Sequence, residues 1–168
     1  GTRVNAMETM HGKVCLVTGA NAGIGRETAI GLAKLGAHVV MVCRDRTKGE
    51  LAREDVLQLG GKGNVELIVA DLSSQAAVRG AAAEFLRHHD RLDVLVNNAG
   101  AYLKRRQLTV DGLEMQLAVN HLAPFLLTTL LRGALEKSAP ARVVNGQCGA
   151  AKAVARRAEI NGIVGLQG

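Results

Sequence analysis

The chain has 168 residues, of which 48% are hydrophobic and 21% charged, with a mean hydropathy of +0.11; that excludes a disordered polymer and leaves enough apolar side chains for one substantial core. Its longest mostly apolar run, LAVNHLAPFLLTTLLRGAL, carries Asn120, His121 and Arg132 and is interrupted by Pro124, which argues against a membrane span. A net charge of +6 calls for an anionic partner, and an aromatic content of 2% leaves almost no platform for stacked bases, so a phosphorylated small molecule is expected rather than nucleic acid.

The opening GTRVNAMETM has no apolar core of signal-peptide length. A soluble intracellular protein, cytoplasmic by default, is therefore the expectation, with an anchor removed upstream left open. Cys15, Cys43 and Cys148 are odd in number and lack Cys-x-x-Cys spacing, which speaks against a disulfide framework or a zinc site, and no metal ligand set is assigned. The first two lie in apolar runs and read as buried thiols.

Along the chain, short β-branched apolar runs alternate with longer segments of helical period, the pattern of βαβ units on a parallel sheet. Strands are expected at Val14–Thr18, His38–Cys43, Val65–Ala70, Leu92–Asn97 and Arg142–Asn145, each nearly uniform in hydrophobicity, as for strands covered on both faces. Between the first two, Ile24, Thr28, Leu32 and Leu35 recur at helical intervals, and Gly36 can end that helix. After ADL, Ser73 or Ser74 can cap a helix whose Val78, Ala82 and Phe85 share a face. His88 and His89 near its end read as surface residues rather than metal ligands, and LKRR at 103–106 as a solvated loop. A single domain over residues 1–168 is expected, with a loose start at 1–10 and an ill-matched tail at 148–168.

VTGANAGIG joins the first strand to the first helix and spaces Gly19, Gly23 and Gly25 as G-x-x-x-G-x-G. Glycines there permit a tight turn and close approach of backbone to a pyrophosphate, beside the unpaired N–H groups of a helix start. Together with DL at 71–72, NNAG at 97–100 and VNHLAPFLLT at 119–128, this loop resembles the short-chain dehydrogenase/reductase family, and most of all its retinol-dehydrogenase-like branch. The resemblance runs from about Lys13 to Asn145. It implies a Rossmann-type, doubly wound α/β fold with strand order 3-2-1-4-5 and helices on both faces, here without the family's final strands. It also implies that Thr18, Gly19, Asn21, Gly23, Ile24 and Gly25 cradle the pyrophosphate, that Asp71 and Leu72 flank the adenine, and that Asn97, Asn98, Ala99 and Gly100 line the nicotinamide side.

Relatives that prefer NAD end the second strand on an acid that grips the ribose hydroxyls. Here Cys43 takes that place and Arg44 follows, a planar cation suited to a ribose 2′-phosphate, so NADP(H) is expected rather than NAD(H). Asp45 is the counterargument, since it could serve as the ribose acid. The resemblance also assigns Asn120 to a catalytic tetrad of Asn, Ser, Tyr and Lys, acting through a main-chain carbonyl that a helix irregularity frees. Pro124 supplies a cause, because it has no N–H to donate to the carbonyl four residues back. His121, next to it, has no identifiable partner.

The tyrosine and lysine of the tetrad are not found by motif: the chain's single tyrosine, Tyr102, is followed four residues on by Arg106. The tail allows two alignments. In one, Cys148 stands at the family's serine and the remainder resembles the approach to the tyrosine; in the other, CGAAK is a degenerate Tyr-x-x-x-Lys with Cys148 and Lys152 in those places. The resulting expectation is a truncated NADP(H)-dependent carbonyl/alcohol oxidoreductase that binds cofactor but is catalytically impaired, its full-length relative acting on a small lipophilic carbonyl or alcohol. The competing expectation is a non-catalytic NADP(H)-binding regulatory or dimerisation module, for which NADPH affinity without turnover would be the sign; on either reading an open sheet edge near the fifth strand and self-association are expected.

Overall fold

The computed structural model describes residues 9–61, 63–146 and 156–159. Five strands, β1 (Val14–Thr18), β2 (His38–Cys43), β3 (Val65–Val69), β4 (Val94–Asn97) and β5 (Arg142–Asn145), pair in parallel in the order β3-β2-β1-β4-β5, the order expected. Two strand ends differ from expectation. β4 begins at Val94 because Leu92 and Asp93 direct their amides to Ala134 and Val14 instead. β3 ends at Val69, although the Ala70 amide still reaches the Cys43 carbonyl at 3.0 Å.

Side chains alternate across the sheet and so define two cores. Leu16, Val40, Val42, Ile68, Leu95 and Val143 face one way; Cys15, Val17, Val39, Met41, Cys43 and Val96 face the other. The first core is covered by α3 (Gln75–His88), α5 (Ala123–Leu130) and α6 (Arg132–Lys137), through Phe85, Leu127 and Leu135 among others. The second is covered by α1 (Gly23–Lys34) and α2 (Arg46–Gly60), through Ala29, Ile30, Ala52 and Val56. Cys15 and Cys43 are the buried thiols expected, and removal from water pushes their thiols up to about 12 and about 11.

The helix boundaries follow local chemistry. α1 ends where Gly36 takes φ +89°, letting its N–H reach Ala33 and that of Ala37 reach Leu32, the paired bonds that close a helix end. Ser74 caps α3, its hydroxyl accepting from the Ala77 amide at 3.2 Å, and Val78, Ala82 and Phe85 are buried together as expected.

Two expectations are corrected here. The apolar stripe Ile24–Thr28–Leu32–Leu35 is not the buried face of α1: Ile24 is 62% exposed, and the buried residues are Gly25, Ala29, Ile30 and Ala33. Small side chains bring this helix close to the sheet, and that requirement outranks bulk hydrophobicity. His88 is exposed as expected, but His89 is not a surface residue; its side chain is 11% exposed and its ring stacks on Phe85 at 4.9 Å.

After β5 the sheet gains a strand that was not expected, β6 (Arg156–Glu159), antiparallel to β5. An open edge offers a row of unpaired N–H and C=O groups that any extended segment can satisfy, whatever its side-chain pattern.

Candidate functional site

In the order β3-β2-β1-β4-β5 the direction of winding reverses between β1 and β4, and a doubly wound sheet opens a crevice beyond the carboxyl ends of the strands at that point. β1 delivers Thr18 and Gly19 to it, and β4 delivers Asn97 and Asn98. Thr18 is 2% exposed. Its hydroxyl oxygen accepts from the amides of Asn98 and Ala99, each at 3.0 Å. In return the Asn98 side-chain amide donates to the carbonyls of Thr18 at 3.1 Å and Gly19 at 3.3 Å. The two loops thus satisfy each other's backbone groups at strand ends where no ladder continues.

This lacing leaves no room for side chains on two of the glycines. Gly19 adopts φ +64°, and a Cβ there would lie 2.9 Å from the Ala99 Cα. A Cβ on Gly25 would run into the Gly19 carbonyl and the Asn98 amide. Gly23 has open space around it and is required by conformation, at φ +53°. α1 starts directly after this loop and no side chain caps it, so the first-turn amides face outward for an anion to accept.

Over the loops lies a cavity of about 400 Å³, lined by Gly19, Asn21, Asn98, Ala99 and Gly100, by Arg44, and by Asp71 and Leu72. Of the other residues expected here, Thr18, Gly25 and Asn97 are buried behind the lining, whereas Gly23 and Ile24 are exposed at the start of α1. Leu103, Gln107, Met115 and Val119 complete the wall. They come from the irregular stretch after NNAG, the short helix α4 (Met115–Leu117) and the turn that follows it. Val119 opens the VNHLAPFLLT stretch, whereas no period or motif marks Gln107 or Met115 in the sequence.

Arg44 is exposed, lines the cavity and makes no ion pair among the described residues. Asp45 is already used: its carboxylate caps α2 by accepting from the Lys48 amide at 2.8 Å. Asp71 accepts from the Ser73 amide at 2.9 Å. The β2 end of the crevice therefore presents the Arg44 guanidinium beside a carboxylate already engaged as a helix cap.

At the other end, α4 passes into a π-helical turn (Ala118–Leu122) before α5. The Ala123 amide bonds the carbonyl of Ala118, five residues back, and Pro124 has no N–H for the Asn120 carbonyl. The expected irregularity is present, and the turn gives the Asn120 side chain a use that the sequence did not reveal. Its amide donates to the Ala101 carbonyl at 2.8 Å while its oxygen accepts from the Ala101 amide at 2.7 Å. Asn97 donates to Asn145 at 2.9 Å and Thr128 at 3.3 Å, and its buried side-chain oxygen has no partner among the described residues. His121 is exposed, as are Tyr102 and the basic residues Lys104, Arg105 and Arg106. Cys148 and Lys152 lie outside the described residues.

A family model described as short chain dehydrogenase matches residues 13–157. Mouse retinol dehydrogenase 14 is 50% identical over 145 residues, covering 80% of this chain and 43% of the relative; mouse retinol dehydrogenase 11 is 47% identical over 134 residues, covering 80% and 42%. The chain thus spans less than half the length of the curated relatives it matches. Among solved structures, a metagenomic short-chain oxidoreductase in complex with NADP superimposes with a TM-score of 0.74 at 34% identity, over 85% of this chain and 64% of that one. The Pseudomonas aeruginosa RhlG/NADP active-site complex gives 0.70 at 35%, over 82% and 55%.

Proposed function

Because the chain belongs to the short-chain dehydrogenase family, we propose that it forms the NADP(H)-binding part of an oxidoreductase that interconverts an alcohol and a carbonyl. The observation that carries this reading is the laced glycine cradle, where a Cβ at Gly19 or Gly25 would collide with the facing loop, set beneath a cavity lined by Arg44. Relatives whose names include retinol dehydrogenase extend the proposal to a small lipophilic alcohol or aldehyde for the whole protein. Among the described residues no helix is long and apolar enough to cross a membrane.

The dinucleotide, when bound, supplies or accepts the hydride. Gly19, Gly23 and Gly25 keep the backbone clear for its pyrophosphate, with Asn21 and Ile24 in the same loop and the amides at the start of α1 turned toward the anion. Thr18 and Asn98 hold that loop against the end of β4. Arg44 binds the 2′-phosphate, for which its planar fork and permanent charge are suited. Asp71 and Leu72 bound the adenine, and Asn97, Asn98, Ala99 and Gly100 bound the nicotinamide.

Proton transfer is the step for which these 168 residues hold too few groups. The sole tyrosine is followed by arginine, not lysine, four positions on, and Cys148 takes the serine's place in one alignment of the tail and the tyrosine's in the other. Asn120 can position a water through its carbonyl, but water, with a pKa of about 15.7 in bulk, is a poor proton donor unless a stronger acid stands behind it. Loss of a positioned acid costs on the order of 10²–10⁴ in rate. The chain is therefore expected to bind NADPH and to oxidise it with an aromatic aldehyde slower than an intact relative by about that factor. Turnover matching the relative would refute the impairment. Replacing Arg44→Ala is expected to weaken NADPH by about 10–100-fold, the worth of a hydrogen-bonded charge, and to leave NADH nearly unchanged; equal losses would refute the cofactor assignment.

A further inference from the structure

Three side chains converge at the opposite end of the strands from the glycine loop. His38 opens β2, Glu66 is the second residue of β3, and His89 follows the last turn of α3. The Nε2 of His38 lies 2.7 Å from one carboxylate oxygen of Glu66, and the Nε2 of His89 lies 3.1 Å from the other. One ligand atom from each residue falls within 4.8 Å of the others. The rings are held in place: they meet edge to face at 4.8 Å, and Phe85 packs flat on His89.

We propose that His38, Glu66 and His89 bind a divalent transition-metal ion, with zinc as the leading occupant. Two imidazoles and a carboxylate form a ligand set that zinc uses with a water in the fourth position. Bonds of about 2.0–2.1 Å at tetrahedral angles place ligand atoms about 3.3 Å apart; the two Nε2 atoms meet different oxygens of Glu66, at 2.7 and 3.1 Å, and because one ligand atom from each residue already lies within 4.8 Å of the others, side-chain adjustments of no more than about 1.5 Å reach that spacing. Each Nε2 must offer its lone pair to the ion in place of any proton it shares with Glu66, so binding releases protons. Burial pushes the Glu66 carboxyl up, yet the hydrogen bonds and charges of His89 and His38 outweigh it and hold it below the usual carboxylate range. Glu66 also faces a groove lined by Glu50, Glu84 and His88, through which an ion can enter. Arg53, the nearby cation, is tied to the Val65 carbonyl at 2.9 Å and to Glu50 at 3.2 Å. Being remote from the dinucleotide crevice, the ion acts structurally, joining β2, β3 and the end of α3.

The test is calorimetric titration of the chelator-treated full chain with Zn²⁺. One ion per chain is expected, with Glu66→Gln and His38→Asn each weakening it by more than about tenfold, the least that even a supporting partner's loss costs a metal site. Stoichiometric binding absent from the wild type, or undiminished in both variants, overturns the proposal. Zinc-edge X-ray absorption of the loaded wild-type chain puts the same question without a variant: two imidazoles and an oxygen support the site, and a sulfur ligand overturns it.

Discussion

Thr18 joins segments 80 residues apart through one hydroxyl oxygen that accepts two backbone amides. Thr18→Val keeps its shape but takes the acceptor from the partly buried Ala99 amide and leaves the Asn98 amide only the Val96 carbonyl, so a loss of about 0.5–1.5 kcal/mol is expected in urea denaturation, with weaker NADPH binding. A change under a few tenths would mean that water takes over those amides. Gly19, Gly23 and Gly25 were legible in the sequence because a turn and a close approach demand one residue type at fixed spacing. Thr18 and Asn98 were expected beside the cofactor, but their mutual bonds could not be read, because contacts between distant segments leave no local pattern. His89 was misjudged for the same reason: its position near a helix end suggested solvent, and Glu66, 23 residues away, turns it inward.

Between β4 and β5, the chain departs from a regular helix at Ala118–Leu122 and returns to one at Ala123. The departure presents the Asn120 amide to both backbone groups of Ala101, which fixes the start of the loop that walls the cavity. Asn120→Ala removes this two-point clamp. The Ala101 amide should then exchange with solvent at least about tenfold faster, the effect of losing roughly 1.4 kcal/mol of local stability, while the β1 amides keep their protection. Unchanged exchange at Ala101 would show that the clamp is incidental. Pro124 made the irregularity visible in the sequence, but not its use by the side chain. In α1 the period was legible and the face was not, since Gly25, Ala29 and Ala33 carry little hydrophobic signal and yet set how closely the helix meets the sheet.

Across the molecule, the sheet is anchored at its amino-terminal edge by Asp93, which is 4% exposed. Its carboxylate accepts from the Val14 amide at 2.9 Å and pairs with Arg91 at 2.8 Å and Lys13 at 3.2 Å. Burial alone would raise this carboxyl, but Arg91, the Val14 amide and Lys13 outweigh it and hold it below its ordinary value. A carboxylate lowered on folding stabilises the native state above its unfolded pKa, and that contribution disappears as the pH falls through the lowered folded value. Thermal stability should therefore drop on acidification below about pH 4. Asp93→Asn should be less stable at pH 7 and show a shallower acid decline; an unaltered decline would assign it to other carboxylates.

The parallel order β3-β2-β1-β4-β5 followed from the alternation of strand and helix signals and the family resemblance, while β6 did not, because pairing at an open edge depends on the edge rather than on the paired sequence. That order creates the crevice, and the crevice is where the central claim is tested most directly: a calorimetric titration of the 168-residue chain with NADPH. One NADPH per chain, bound more tightly than NADH, is the predicted result. Absence of binding, or a preference for NADH, would contradict it.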